Sequence, residues 1–163
     1  MVHDRTSLGF VRVGVVTPQL WVADVGRNCA RIVDALGQVA ARGCRLALFP
    51  ELCLTGYTCA DLFYQSALID RARDALIEVA EAAERLGIAA VVGLTAAVEG
   101  RLYNCAALLS GGVPQGLVPK TYLPTSKEYY EARWFASAKQ CRAQTVEIGG
   151  RSLLARHLQN FRQ

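Results

Sequence analysis

Two amphipathic stretches, residues 24–42 and 66–86, alternate with short aliphatic and β-branched runs, and this alternation narrows the possible folds more than any other feature. In the first stretch Val25, Cys29, Ile32, Leu36 and Val39 recur at three- and four-residue spacing. Asp24 stands where a helix cap belongs and Gly43 where a helix stops. In the second, Leu68, Ala72, Leu76, Val79, Ala83 and Leu86 form an apolar stripe ending before Gly87. Asp70, Arg73, Asp74, Glu81 and Arg85 occupy the opposite side, with Glu81 and Arg85 at a favourable four-residue spacing. Residues 10–17, 45–49 and 88–95 read as strands around these helices. Residues 102–110 and 115–118 follow Glu-Gly-Arg and Gly-Gly-Val-Pro turns. Strand, helix, strand, helix, strand, then antiparallel strands is the order of an α/β domain with a mixed sheet. At 163 residues the chain is expected to form one domain with a sizeable core.

Composition removes several classes of function. Eighteen basic and fourteen acidic residues are interspersed, which argues against a nucleic-acid footprint. The first ten residues, MVHDRTSLGF, lack the apolar core of a signal peptide, and no apolar run approaches the ~20 residues of a membrane helix. Six cysteines without zinc spacing read as reduced packing residues, so the expected compartment is the cytoplasm. His3 and His157 have no ligand partner at helical spacing, and no metal is expected. Ser110-Gly111-Gly112 is followed by Val113 and Pro114 and reads as a turn, not a phosphate loop.

Two segments carry the chemistry. LALFPELCLTGYTCADLF, residues 46–63, brings Glu51 to the carboxyl end of a buried strand, where ligands of α/β sheets gather. From position alone the acid is either a general base or a loop-bonding carboxylate. Lys120 follows Pro119 at another strand end. It either keeps an acid ionised and stabilises an oxyanion, or is an ordinary surface lysine. Cys53 and Cys59, the thiols nearest Glu51 in sequence, read as packing residues. Residues 119–140 have no clean period and hold three tyrosines and Trp134, which marks a functional loop.

Together, FPELCLTGYTCADLF and PKTYLPTSKEYYEARWF resemble the nitrilase (carbon–nitrogen hydrolase) superfamily, and more narrowly the N-terminal glutaminase domain of glutamine-dependent NAD+ synthetases. The resemblance runs from about residue 9 to about residue 150, with the domain placed at 1–150 and a divergent tail at 151–163. It implies an α-β-β-α sandwich of two mixed sheets with helices outside. It also implies a Glu–Lys–Cys triad that hydrolyses an amide through a thioester, with Glu51 as general base and Lys120 stabilising the oxyanion. Tyr57 matches a wall of the glutamine pocket, and Ser126 stands where many relatives carry a substrate-contacting tyrosine. Glu128 or Glu131 matches a second acid supporting the lysine.

The family's nucleophile lies in a segment resembling Glu-Ile-Cys-Glu-Asp, which does not occur in these 163 residues; Cys141 has the wrong context. The expectation is therefore the N-terminal part of a glutaminase domain, inactive alone, that would supply ammonia for NAD+ synthesis from nicotinic acid adenine dinucleotide. No cofactor is implied for the glutaminase reaction, and ATP and Mg would belong to a synthetase domain outside this segment. The implied partners are glutamine and, in the full-length protein, further copies of itself. Alternatives are a non-catalytic remnant that binds a partner, or another nitrilase-type amidase. The tail SLLARHLQNFRQ reads as either a short amphipathic helix or a frayed end.

Overall fold

A computed structural model describes residues 9–155. Asp24 accepts a hydrogen bond from the Arg27 amide and caps helix α1, Val25–Ala41, and Gly43 takes the positive φ that releases the chain. The predicted stripe is the buried one: Ile32 and Leu36 are completely covered. Helix α2, Ser66–Arg85, buries Ala72, Leu76, Val79 and Ala83. Each fully buried Leu, Ile or Val contributes about 1.5–3 kcal/mol. The two helices pack against each other, and α2 lies across the strands that follow it.

Seven strands form one sheet: β1 Val13–Val15, β2 Leu46–Leu48, β3 Ala89–Val98, β4 Arg101–Ser110, β5 Val113–Pro119, β6 Thr145–Ile148 and β7 Arg151–Ala155. Their order is β1-β2-β3-β4-β5-β7-β6. The first three are parallel, as crossovers through α1 and α2 require. β3, β4 and β5 form an antiparallel meander. β7 runs parallel to β5 and antiparallel to β6. Residues 152–155, read from sequence as part of a short helix or a frayed end, belong to strand β7 instead. The Gly149-Gly150 turn returns the chain along β6 and lets it pair with β5. The rest of that tail, 156–163, lies outside the described residues.

The pairing of β4 with β5 shifts by one residue between Leu108 and Leu109. Leu109 faces Pro114, Leu108 faces Gly116, and Gln115 is the extra residue. Its side chain donates to the Ser110 carbonyl at 2.7 Å.

The helices cover one face of this sheet, where Val92, Leu94, Tyr103, Cys105, Ala107 and Leu109 are buried. The alternate residues face the other way, and Val15 and Leu48 are exposed there. The described residues are thus one sheet with its helix layer, one α-β half of the α-β-β-α sandwich that the resemblance implies.

The 119–140 segment is stitched back onto the strands. It contains a helical turn α3, Glu131–Trp134, and a 3-10 turn at Ala138–Gln140. The Ala138 amide bonds the Lys120 carbonyl and the Ala136 amide bonds the Leu102 carbonyl, both at 2.8 Å. Among the described residues no helix is long and apolar enough to cross a membrane.

Candidate active site

β2 delivers the chain to Phe49 and Pro50, and the turn that follows is buried on every side but one. Leu52, Cys53, Leu54 and Thr55 are wholly covered, while the Glu51 side chain keeps 40% of its surface. The turn lies flat on β3 because residue 93 is glycine. A Cβ there would sit 2.4 Å from the Leu52 nitrogen, 2.6 Å from the Pro50 oxygen and 2.8 Å from the Glu51 carbonyl carbon. Leu52 takes a positive φ of 50° to complete the bend. From behind, the buried Asn28 of α1 accepts from the Trp21 amide and donates to the Trp21 and Leu54 carbonyls.

Lys120 enters from the end of β5, its amide bonded to the Asn104 carbonyl at 2.8 Å. Its ammonium lies 2.6 Å from Glu51 Oε1 and 2.9 Å from Glu131 Oε1. Glu131, on α3, has a fully buried carboxylate whose Oε1 also accepts from the Tyr57 hydroxyl at 2.6 Å. Asn104 Nδ2, on β4, donates to Glu51 Oε1. A single cation therefore bridges two carboxylates, and a neutral donor flanks each one.

Desolvation pulls the Lys120 pKa down, but the hydrogen bonds and charges of Glu51 and Glu131 outweigh it and leave the pKa above the ordinary lysine value. The ammonium is thereby kept charged. Burial, reinforced by the bond to Glu131, raises the Tyr57 hydroxyl above the usual tyrosine range, so it remains a neutral donor. The group opens onto a groove of about 660 Å3, floored by Leu48, Val91, Ala106 and Val118 on the sheet face that the helices leave uncovered.

Of the residues read from sequence, Glu51, Lys120, Glu131 and Tyr57 come together. Ser126 and Glu128 do not: both are exposed on the turn before α3 and stand outside this cluster. Burial decides between the two acids, since Glu131 is the one the fold seals against the lysine. The cysteines stay in packing positions. Burial pushes the Cys53 thiol up to about 12, and its sulfur donates to the Gly93 carbonyl. Cys105 is raised still further by burial in the helix-covered core. Neither is poised as a thiolate. Among the described residues no three His, Cys, Asp or Glu side chains are grouped to hold a metal.

Two elements of the site escaped the reading of the sequence. One is Asn104, the lone amide in the apolar strand LYNCAALLS, which was itself the available signal. The other is a clamp from the 3-10 turn Ala60–Tyr64 to α3. Asp61 accepts two bonds from the Arg133 guanidinium at 2.8 Å and one from the Trp134 indole at 2.9 Å. Beneath it Phe63 packs edge-on against Phe135, with ring centres 4.9 Å apart.

A glutamine-dependent NAD(+) synthetase of Mycobacterium tuberculosis is 40% identical over 143 residues, 87% of this chain and 21% of that protein. Its counterpart in Mycobacterium leprae is 35% identical over 134 residues, 82% of this chain and 20% of that protein. The chain thus spans about a fifth of the length of these relatives. The crystal structure of a glutamine-dependent NAD(+) synthetase from Cytophaga hutchinsonii superposes with a TM-score of 0.83 at 27% identity, covering 89% of this chain and 25% of that one. An amidase from Nesterenkonia sp. superposes at 0.69 with 25% identity, covering 88% of this chain and 54% of its own. Residues 12–151 match the pattern of the carbon-nitrogen hydrolase family, and the chain belongs to that family, the nitrilase superfamily.

Proposed function

We propose that this chain carries the general-base and oxyanion half of a glutamine amide hydrolase that feeds ammonia to NAD+ synthesis. The observation that carries the reading is the Glu51–Lys120–Glu131 cluster at the mouth of the groove. A carboxylate within hydrogen-bond reach of a charged lysine can take a proton from an attacking thiol. The ammonium then faces the negative charge that develops on the amide oxygen. Glu131, buried and bonded to Tyr57, keeps the lysine from collapsing wholly onto Glu51. The synthetase relatives favour glutamine as the amide; a small-amide hydrolase is the second reading, favoured by the superposed amidase.

None of the thiols of this segment is placed to attack, so the nucleophile of the proposed reaction belongs to a further segment. Two measurements of ammonia release from L-glutamine test the reading. The 163-residue chain alone is expected to give none above background. A chimera carrying residues 12–151 in place of the matching segment of the Mycobacterium tuberculosis relative is expected to release ammonia, and E51Q or K120A to abolish it. A folded chimera that leaves glutamine intact refutes the proposal. So does turnover by the isolated chain that survives K120A and disappears in C53A.

A further inference from the structure

Asn104 is almost completely buried on β4, yet its side chain belongs to the site face of the sheet, not to the helix-covered core. Its strand neighbours Tyr103 and Cys105 pack into that core, and the groove floor beside Asn104 is Val91, Ala106 and Val118. An amide set among such residues costs about 1–3 kcal/mol unless its polar atoms are paired. Its partner is Glu51 Oε1, the same oxygen that Lys120 holds. An ionised carboxylate only accepts, so this contact fixes which end of the amide faces the acid. The donor is also neutral. It orients Glu51 without adding a second positive charge to compete with Lys120.

We propose that Asn104 is a positioning residue for the general base: together with Lys120 it pins Glu51 Oε1, so that Oε2 is the oxygen that receives the proton of the attacking nucleophile. The assignment rests on the amide-hydrolase reading given above. Without the amide, Glu51 keeps its ion pair but can rotate about it. A half-exposed carboxylate that rotates spends less time aligned, and misalignment of about 1 Å costs on the order of 100-fold in rate. Substrate affinity depends on the rest of the groove and is not expected to follow. The backbone of Asn104 has a separate task, accepting the Lys120 amide, which a side-chain substitution leaves in place.

Two experiments decide the matter. The chain has three asparagines, Asn28, Asn104 and Asn160, so selective [15N]Asn labelling of the full chain gives a simple side-chain amide spectrum. With 13C labelling added, the Asn104 pair is assigned by through-bond correlation to its own backbone amide. In E51A one of its two protons is expected to move upfield as the carboxylate bond disappears; an unchanged Asn104 pair in E51A overturns the proposal. This arm leaves Asn104 intact and holds even if substitutions there impair folding.

In the glutamine-hydrolysing chimera, N104A is expected to lower kcat by about 10- to 100-fold with KM within about twofold. An unchanged kcat, or a loss confined to KM, overturns the proposal. Failure of the amide-hydrolase reading would show earlier and separately, as a folded unsubstituted chimera without turnover.

Discussion

Replacing Gly93 by alanine tests whether the Pro50–Leu52 turn is seated as described. The backbone at Gly93 does not have a positive φ, so alanine carries no conformational penalty and the whole effect is steric. Its methyl would meet three backbone atoms at 2.4, 2.6 and 2.8 Å, where ordinary contact begins at 3.4 Å. Turn and strand must separate by about 0.6–1 Å, and none of the three contacts is a side chain that can rotate away. Overpacking of this kind costs typically 1–3 kcal/mol, and a backbone-to-backbone clash belongs at or above the upper end, about 3 kcal/mol.

The same substitution at Gly37, inside α1, has the opposite sign. A Cβ there meets nothing within 4 Å, and alanine in a helix interior is worth about 0.5–1 kcal/mol over glycine. With a urea m-value of about 1–3 kcal/mol/M, G93A should lower the unfolding midpoint by at least about 1 M and G37A should raise it by a few tenths. Urea titrations followed by circular dichroism read both. A G93A midpoint within about 0.2 M of the parent would show that the turn does not lie against β3, and the account of how Glu51 is held would fail with it.

Three further outcomes are expected. In E131Q the Lys120 pKa should fall, because burial then acts against one carboxylate rather than two; amine-selective acylation of Lys120 at pH 9, mapped by mass spectrometry, should become severalfold faster. The corresponding stabilisation in the parent chain is complete below the unfolded lysine value of about 10.4 and is lost as pH rises through the raised folded value. N28A should cost about 2–4 kcal/mol in chemical denaturation, since it leaves the partly buried Trp21 amide and the buried Leu54 carbonyl unpaired. Bonds from Arg133 and Trp134 hold the Asp61 carboxyl below the usual range, so the parent should melt above D61N at neutral pH. That gap should close as pH falls below the unfolded value of about 3.9 towards the folded one, and a gap independent of pH would remove the clamp's electrostatic role.

The helices were legible because their periodicity is the burial pattern itself. Leu36 and Leu76 are apolar in the sequence and covered in the fold for the same reason. Strand extents were less legible. The alternating run at 10–17 pairs only over Val13–Val15, since an edge strand is bounded by its neighbour and not by its own composition. Glu51 and Lys120 stood out by their positions at strand ends. The choice of Glu131 over Glu128 depended on a four-residue helical turn too short to show a period. Asn104 and Gly93 act through residues some forty to fifty positions away, and the sequence records no such distance. β7 reads as a polar-apolar mixture until β5 and β6 are there to flank it.

The extra residue at Gln115 has a consequence for which side of the sheet is chemical. Strand positions alternate between faces, so the face on which a residue lands depends on whether an odd or even number of residues separates it from the turn. Without the bulge, counting back from the Ser110–Val113 pair would set Lys120 opposite Tyr103, on the side buried by α2. With it, Lys120 falls beside Asn104, on the side of Glu51. The ion pair is thus addressed by parity. Gaining or losing one residue between Ser110 and Gln115 would send the lysine into the hydrocarbon interior and leave the acid without its cation.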